Sequence, residues 1–292
     1  MLKKNSEDGV MKLATVEHTK RTKYGFINKN RIYFATEKTL KHFPTLRDLI
    51  CHLEKDITLN KDLFLLDGIE LSQVEFCIPI CEKVKIICVG LNYEKIYPVE
   101  GVSQPSPENI ILFGKERSSM VAHQKSLELP IGKPSLTFDY EGELAVIIGK
   151  SGRNISISEA KNYIFGYSIL NDGSVREWQK HSIYAGKNFQ NSSSWGPYIV
   201  TKDEIKDVDS IQLSTYLNSE RVQDTTVDKM IFSISEQISY ISTLYTLSPG
   251  DVIATGSPDG TGGSRNPKRH LVSGDKLEIT ISGIGSLVNY VN

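Results

Sequence analysis

The 292-residue chain reads as a β-rich α+β protein, and three observations say so. Strand-like apolar runs outnumber long helical patterns after residue 80; strands and helices do not alternate as in a βαβ array; and neither GxGxxG after a first strand nor a GxxxxGK(S/T) loop occurs. The first ten residues, with Lys3, Lys4, Glu7 and Asp8 and no apolar stretch behind them, predict a disordered extension, or an alternative start at Met11, rather than a signal or transit peptide. Tyr24 to Ile27 and Arg31 to Phe34 flank the turn residues Asn28, Lys29 and Asn30, which predicts a hairpin. Thr45 predicts an N-cap, with Leu46, Leu49, Ile50 and Leu53 at helical spacing behind it. These segments form an accessory αβ module over residues 1–80, whose boundary falls where Val84 to Gly90 opens a buried-strand pattern.

The second unit, residues 81–292, predicts strands at 110–113, 144–148, 198–201, 212–217, 251–254 and 276–281. Helices are predicted at 158–163 and 233–244, the latter from Ile234, Ile238, Ile241 and Leu244. With 34 Lys+Arg against 35 Asp+Glu the net charge is −1, which argues against nucleic acid or a membrane surface as partner. Apolar residues at 39% are ordinary for a core-forming protein, and no run reaches the length of a membrane span. The cysteines, Cys51, Cys77, Cys81 and Cys88, lack paired CxxC spacing, so a reducing, cytoplasmic setting is expected.

Chemistry concentrates in two segments. In Asp139-Tyr140-Glu141-Gly142-Glu143, a strand would place Asp139, Glu141 and Glu143 on one face, where a hard divalent cation would relieve their repulsion. A solvated acidic edge is the other reading. In Asn171 to Gln179, a helix starting at Asp172 would bring Asp172, Arg176 and Gln179 to one side. The bland reading is a surface ion pair worth about 0.3–0.5 kcal/mol. Gly186-Lys187 and the turn-rich Ala254 to Gly262 complete the set.

The order Gly90-Leu91-Asn92-Tyr93, Phe113-Gly114-Lys115, Asp139 to Ala145, Asn171-Asp172 with Arg176 and Gln179, Gly186-Lys187, Gly196-Pro197 and Gly250 to Pro258 resembles the fumarylacetoacetate hydrolase family over residues 84 to 290. The resemblance implies a mixed β-sheet roll, a homodimer, and Mg²⁺ or Mn²⁺, with Ca²⁺ a further option, held by Glu141, Glu143 and Asp172. It implies a small 2-oxo acid as substrate, contacted by Tyr93, Arg176, Gln179, Lys187 and Ser257, with Lys115 bordering the pocket. Three carboxylates would offset the ion's charge, and Lys187 and Arg176 would stabilise a developing enolate.

One departure bears on the reaction. Where hydrolytic members carry a histidine and a glutamate that activate water, this chain has Ile96 and Val99, and Gln190 stands where an aspartate is frequent. Isoleucine cannot take a proton, so another base is needed: Glu100, Glu94, Tyr97, His123 or His181. The resemblance implies a metal-dependent hydrolase of acylpyruvate-like 2,4-dioxo acids, with Lys187, Glu100 and Lys115 as catalytic groups. The departures favour two alternatives, decarboxylation of an oxaloacetate-like β-keto acid or isomerisation of a 2-hydroxydienoate. A non-catalytic metal-binding dimer is the reading from a different class. The tyrosines, Pro98 and Gly101 of the segment from Asn92 to Gln104 would allow a mobile loop there.

Overall fold

The computed structural model describes residues 11–53, 61–94, 96–97, 102–103 and 106–292. Glu100 and the first ten residues lie outside them, so two expectations fall on undescribed positions. Of the segment from Asn92 to Gln104, residues 92–94 and a short antiparallel pair, Ile96–Tyr97 with Val102–Ser103, are described.

A mixed sheet of twelve strands organises the molecule. Its order runs from Ile69–Glu70 through Arg31–Phe34, Arg21–Asn28, Lys12–His18, Ser193–Thr201, Ile164–Asn171, Gly142–Ile148, Val252–Ala254 and Ile86–Gly90 to Ile111–Gly114. The predicted hairpin is present, closed by a two-residue turn between Asn28 and Arg31 in which Lys29 takes φ 53°. Lys12–His18 then pairs with Ser193–Thr201 through Lys12↔Val200 and Leu13↔Ile199, so the N-terminal strands extend the sheet of the second unit. A second sheet joins Ser126–Leu127, Gly285–Val291, Lys276–Ile281, Gln212–Leu217 and Glu220–Thr226.

The period-two geometry of Gly142–Ile148 builds two cores from one strand. Leu144, Val146 and Ile148 point toward Leu213, Leu277, Ile279 and Leu287 of the five-stranded sheet. Ala145 and Ile147 point the other way, into a cluster with Leu13, Leu49, Ile50 and Trp195. Because both faces are covered, the strand is buried at every position. This is the strand that carries the acidic motif, so its end is fixed by packing on both sides.

The helix Leu46–Leu53 starts as the sequence predicts: Asp48 N–H donates to Thr45 Oγ1 at 3.1 Å, and Leu46, Leu49, Ile50 and Leu53 are its buried residues. Ile234–Leu244 is capped by Ser233, whose backbone N–H is in turn held by Glu236, a capping box. A short helix at Glu37–His42, capped by Thr36, was not expected. Two expectations are corrected. Residues 158–163 form only a 3₁₀ turn, Ala160–Tyr163, because the next residue already enters the Ile164–Asn171 strand and leaves no length for an α-helix. No helix starts at Asp172 either: Ser174–Val175 pairs with Phe138–Asp139, and the helix begins only at Arg176. Among the described residues no helix is long and apolar enough to cross a membrane.

Candidate metal centre and active site

Strand register assembles the acidic cluster. Gly142 sits opposite Asn171 in the antiparallel pair, and the ladder continues one step further through Asp172 N–H to Glu141 O at 2.8 Å. Glu141 and Asp172 are therefore cross-strand neighbours, and Glu143, two residues on, shares the face of Glu141. Oxygen atoms of Glu141, Glu143 and Asp172 all lie within 4.8 Å of one another. The solvated-edge reading fails here, because these residues are 6%, 1% and 0% exposed.

Asp139 does not join them. The chain breaks register after Phe138–Asp139, and the Asp139 carboxylate instead accepts Gly262 N–H at 2.7 Å, Gly263 N–H at 2.8 Å and Arg176 Nε at 2.8 Å. The same guanidinium reaches Glu141 Oε1 through Nη1 at 2.5 Å. Arg176 is thus clamped between two carboxylates, and its Nη2, buried, has no hydrogen-bond partner among the described residues. Burial opposes its charge, but Asp139 and Glu141 overcome that and hold the guanidinium above its ordinary range.

Lys187 bridges Glu141 Oε2 and Asp172 Oδ2, each at 2.6 Å, beneath the ring of Phe113. Here too burial disfavours the ammonium, while Asp172 and Glu141 more than reverse it. The helix Ile183–Lys187 packs against Arg176–Gln179 at Gly186, where a Cβ would lie 2.6 Å from Gln179 N; glycine is what lets Lys187 reach the carboxylates. Lys115 sits deeper, its Nζ 2.5 Å from Asp172 Oδ1 and also donating to the Gly173 and Lys187 carbonyls. Glu143 Oε2 accepts Gly256 N–H at 2.9 Å, where Gly256 takes φ 101° and a Cβ would meet Asn92 at 2.6 Å.

Among the described residues, four carboxylates, Asp139, Glu141, Glu143 and Asp172, face three cations, Lys115, Lys187 and Arg176, which leaves one excess negative charge when all four are ionised. The strain falls on Glu143, whose carboxyl is pushed well above the usual range by burial first and then by Asp172 and Glu141. Oxygen-only donors, buried and short of positive charge, suit a hard divalent cation. Bound there, it would turn the net charge to one positive and make the site receptive to an anion.

A cavity of 430 Å³ opens onto this cluster, lined by Glu141, Arg176, Gln179, Lys187 and Ser257 together with Gly90, Leu91, Ile111 and Phe113. Of the described residues named from sequence for the site, Glu143, Asp172, Lys115 and Tyr93 are not in its wall. Lys115 is buried behind Asp172, and the Tyr93 phenol is buried without a hydrogen-bond partner among the described residues, its pKa raised by burial and by the charge of Glu143. His123 and His181 are elsewhere: His123 packs on Phe76 and accepts Val288 N–H through Nδ1, and His181 packs on Trp178. Sequence reasoning missed His270, which does line the cavity, and the anchoring of Asp139 by Gly262 and Gly263. No spacing signals either, since both depend on the return of the 261–271 loop over the end of the sheet.

Comparison with known proteins agrees with this geometry. The fumarylacetoacetate (FAA) hydrolase C-terminal family model matches residues 85–292, and the chain belongs to that family of enzymes. The oxaloacetate tautomerase YisK of Bacillus subtilis (strain 168) is 39% identical over 227 residues, which are 76% of this chain and 74% of that protein. A fumarylacetoacetate hydrolase from psychrophilic Exiguobacterium antarcticum superposes with a TM-score of 0.81 at 30% identity, covering 97% of this chain and 99% of its own. A maleylpyruvate hydrolase from a Sphingobium species, in complex with manganese(II) and pyruvate, gives a TM-score of 0.76 at 26% identity, covering 96% of this chain and 98% of its own.

Proposed function

We propose that this protein is a divalent-metal-dependent tautomerase of oxaloacetate-class 2-oxo acids, interconverting their keto and enol forms. The convergence of Glu141, Glu143 and Asp172, with Glu141 in the wall of a cavity also lined by Arg176, Gln179, Lys187 and Ser257, carries the reading. Glu141, Glu143 and Asp172 would hold Mg²⁺ or Mn²⁺, which when bound supplies Lewis-acid polarisation of a carbonyl oxygen. The manganese and pyruvate in the Sphingobium hydrolase support both the ion class and the 2-oxo acid. Arg176 and Gln179, both in the cavity wall, would orient a substrate carboxylate. The Lys187 ammonium places fixed positive charge where an enolate oxygen forms, and Ser257 offers a hydroxyl to the same wall.

Hydrolysis, the family's commonest form, needs a base to activate water, and Ile96 and Val99 occupy the positions that would supply it. Tautomerisation moves a proton within the substrate and needs no water. The name of the Bacillus relative favours it further. A homodimer in the cytoplasm, acting on a small molecule, completes the proposal; light scattering would report two copies. The activity test follows the decay of enol-oxaloacetate in the ultraviolet. Acceleration abolished by chelation and restored by Mg²⁺ is expected. Carbon dioxide release matching substrate loss would make the enzyme a decarboxylase instead, and pyruvate from acetylpyruvate would make it a hydrolase.

A further inference from the structure

We propose that Gln223 is a positioning residue for this site: its side-chain amide fixes the spacing between the acidic triad and the Ser257 wall of the cavity, an inference that rests on the tautomerase reading. The observation behind it is one buried amide with two backbone partners. Gln223 Oε1 accepts Gly142 N–H at 2.9 Å, and its Nε2 donates to Pro258 O at 2.9 Å. Gly142 stands between Glu141 and Glu143 of the triad, and Pro258 follows Ser257 of the cavity wall.

Sheet geometry explains why a side chain is needed there. Gly142–Ile148 pairs with Val252–Ala254 only from Ala145 onward, and Thr255 N–H to Leu144 O at 3.1 Å carries that ladder one step further. Gly142 lies beyond it. Its N–H is taken instead by Gln223, which reaches across from the Glu220–Thr226 strand of the second sheet. A Cβ on Gly142 would lie 2.2 Å from Thr215 Oγ1 and 3.3 Å from Gln223 Oε1, so the missing side chain is what admits the amide. Gln223 is the one buried residue of its strand, at 1% exposed, and a buried amide is costly unless both of its ends are bonded. The partners also fix its orientation, since Gly142 N–H can only donate and Pro258 O can only accept.

These two bonds close a ring through the site. From Pro258 the chain runs back to Gly256, whose N–H donates to Glu143 Oε2 at 2.9 Å, and Glu143 is the neighbour of Gly142. The Glu143 carboxylate and Ser257 therefore cannot move apart without breaking one of three hydrogen bonds. On the other flank of Gly142, Glu141 N–H is held by Asn171 Oδ1 at 3.1 Å. Gln223 is not in the cavity wall, so it acts only through the residues it holds.

Gln223→Met tests this, because it keeps the length of the side chain and removes both bonds. In titration calorimetry of the folded variant, Mg²⁺ affinity is expected to fall about 10- to 100-fold. Binding of oxalate, a planar mimic of the enolate, to the Mg²⁺-loaded protein reports on the Ser257 side. Ser257→Ala should weaken oxalate about tenfold in the native background and about threefold or less beside Gln223→Met, where the hydroxyl is already displaced. Ile279→Val, which thins the packing over Gly142 and leaves both bonds in place, should lower Tm with both affinities unchanged. If Gln223→Met does not fold, Gln223→Glu keeps the acceptor for Gly142 and, ionised, offers Pro258 no donor. The Ser257→Ala effect should shrink there too, in a comparison from which the added charge cancels.

Native affinities in folded Gln223→Met, an equal loss of affinity in Ile279→Val, or a Ser257→Ala effect of the same size in every background would overturn the assignment to Gln223 while leaving the tautomerase reading standing. A native protein without tautomerase activity would instead overturn the functional reading, and this inference with it.

Discussion

The ammonium of Lys115 lies 2.5 Å from Asp172 Oδ1 with both side chains entirely removed from solvent. Such a pair is held by what surrounds it, because neither charge can retreat to water. Removing only the cation leaves the buried Asp172 carboxylate with Lys187 alone, a cation it shares with Glu141, so the cost stays below the about 3–5 kcal/mol of a fully broken buried pair. Lys115→Met is therefore expected to lower unfolding free energy by up to that amount in urea titrations. Asp172→Asn in the same chain should recover much of the loss, since the carboxylate that lost a partner is then uncharged. Equal stability of the single and double variants would show that the pair is not coupled.

Asp139 acts through Arg176. Its carboxylate accepts from Gly262, Gly263 and the guanidinium, and none of its oxygens belongs to the converging triad. Asp139→Asn keeps the shape and removes the charge that aims the fork. We expect kcat/KM to drop about 10- to 100-fold, chiefly through KM, with Mg²⁺ affinity little changed. Arg176→Lys should behave alike, because an ammonium cannot bond Asp139 and Glu141 and still present a free donor. Titration calorimetry with Mg²⁺ separates this outcome from loss of the metal site.

Much of this was legible in the residues, for identifiable reasons. The strand pattern of Leu144 to Ile148 is a continuous apolar run because both faces are covered, and Ser233 with Glu236 is a local capping signal needing no tertiary context. Glu141, Glu143 and Asp172 could be named from the resemblance, but their meeting depends on the register that sets Gly142 opposite Asn171. The helix expected from Asp172 was wrong because Ser174–Val175 pairs with Phe138–Asp139, a long-range bond that overrides local spacing. Arg176 and Gln179 still reach the site, through a helix that starts four residues later. The separate fate of Asp139 was invisible: alternation predicts a shared face only while the strand is unbroken, and here it breaks between residues 139 and 142.

His123 gives the fold a sensitivity to acid. Its Nδ1 accepts Val288 N–H at 3.1 Å, which requires a neutral ring, and burial lowers its pKa to about 4. In the unfolded chain a histidine titrates near 6.5. Between those values the unfolded state binds the extra proton, so stability is full above about pH 6.5 and falls as pH drops toward 4. His123→Asn keeps an acceptor for Val288 without a titrating group. Urea midpoints measured from pH 7.5 to 4.5 should fall more steeply for the native protein than for the variant; parallel curves would exclude His123 as a source of the slope.

On the proposed metal site, Glu143 would couple ion binding to pH. Burial, then Asp172 and Glu141, raises its carboxyl well above the unfolded value, so the folded metal-free protein holds a proton that the unfolded chain has already released. The associated stability is complete below about pH 4.3 and declines as pH rises from there toward the folded value. A divalent cation competes with that proton and reverses the trend, because it binds the ionised form. Mg²⁺ should therefore raise Tm more at pH 8 than at pH 5.5. In Glu143→Gln the metal-free protein should lose part of its own decline with pH and show little or no Mg²⁺ effect at either pH. Differential scanning calorimetry with and without chelator makes the comparison. A Mg²⁺ shift of equal size in the variant would mean that the ion is held without this carboxylate.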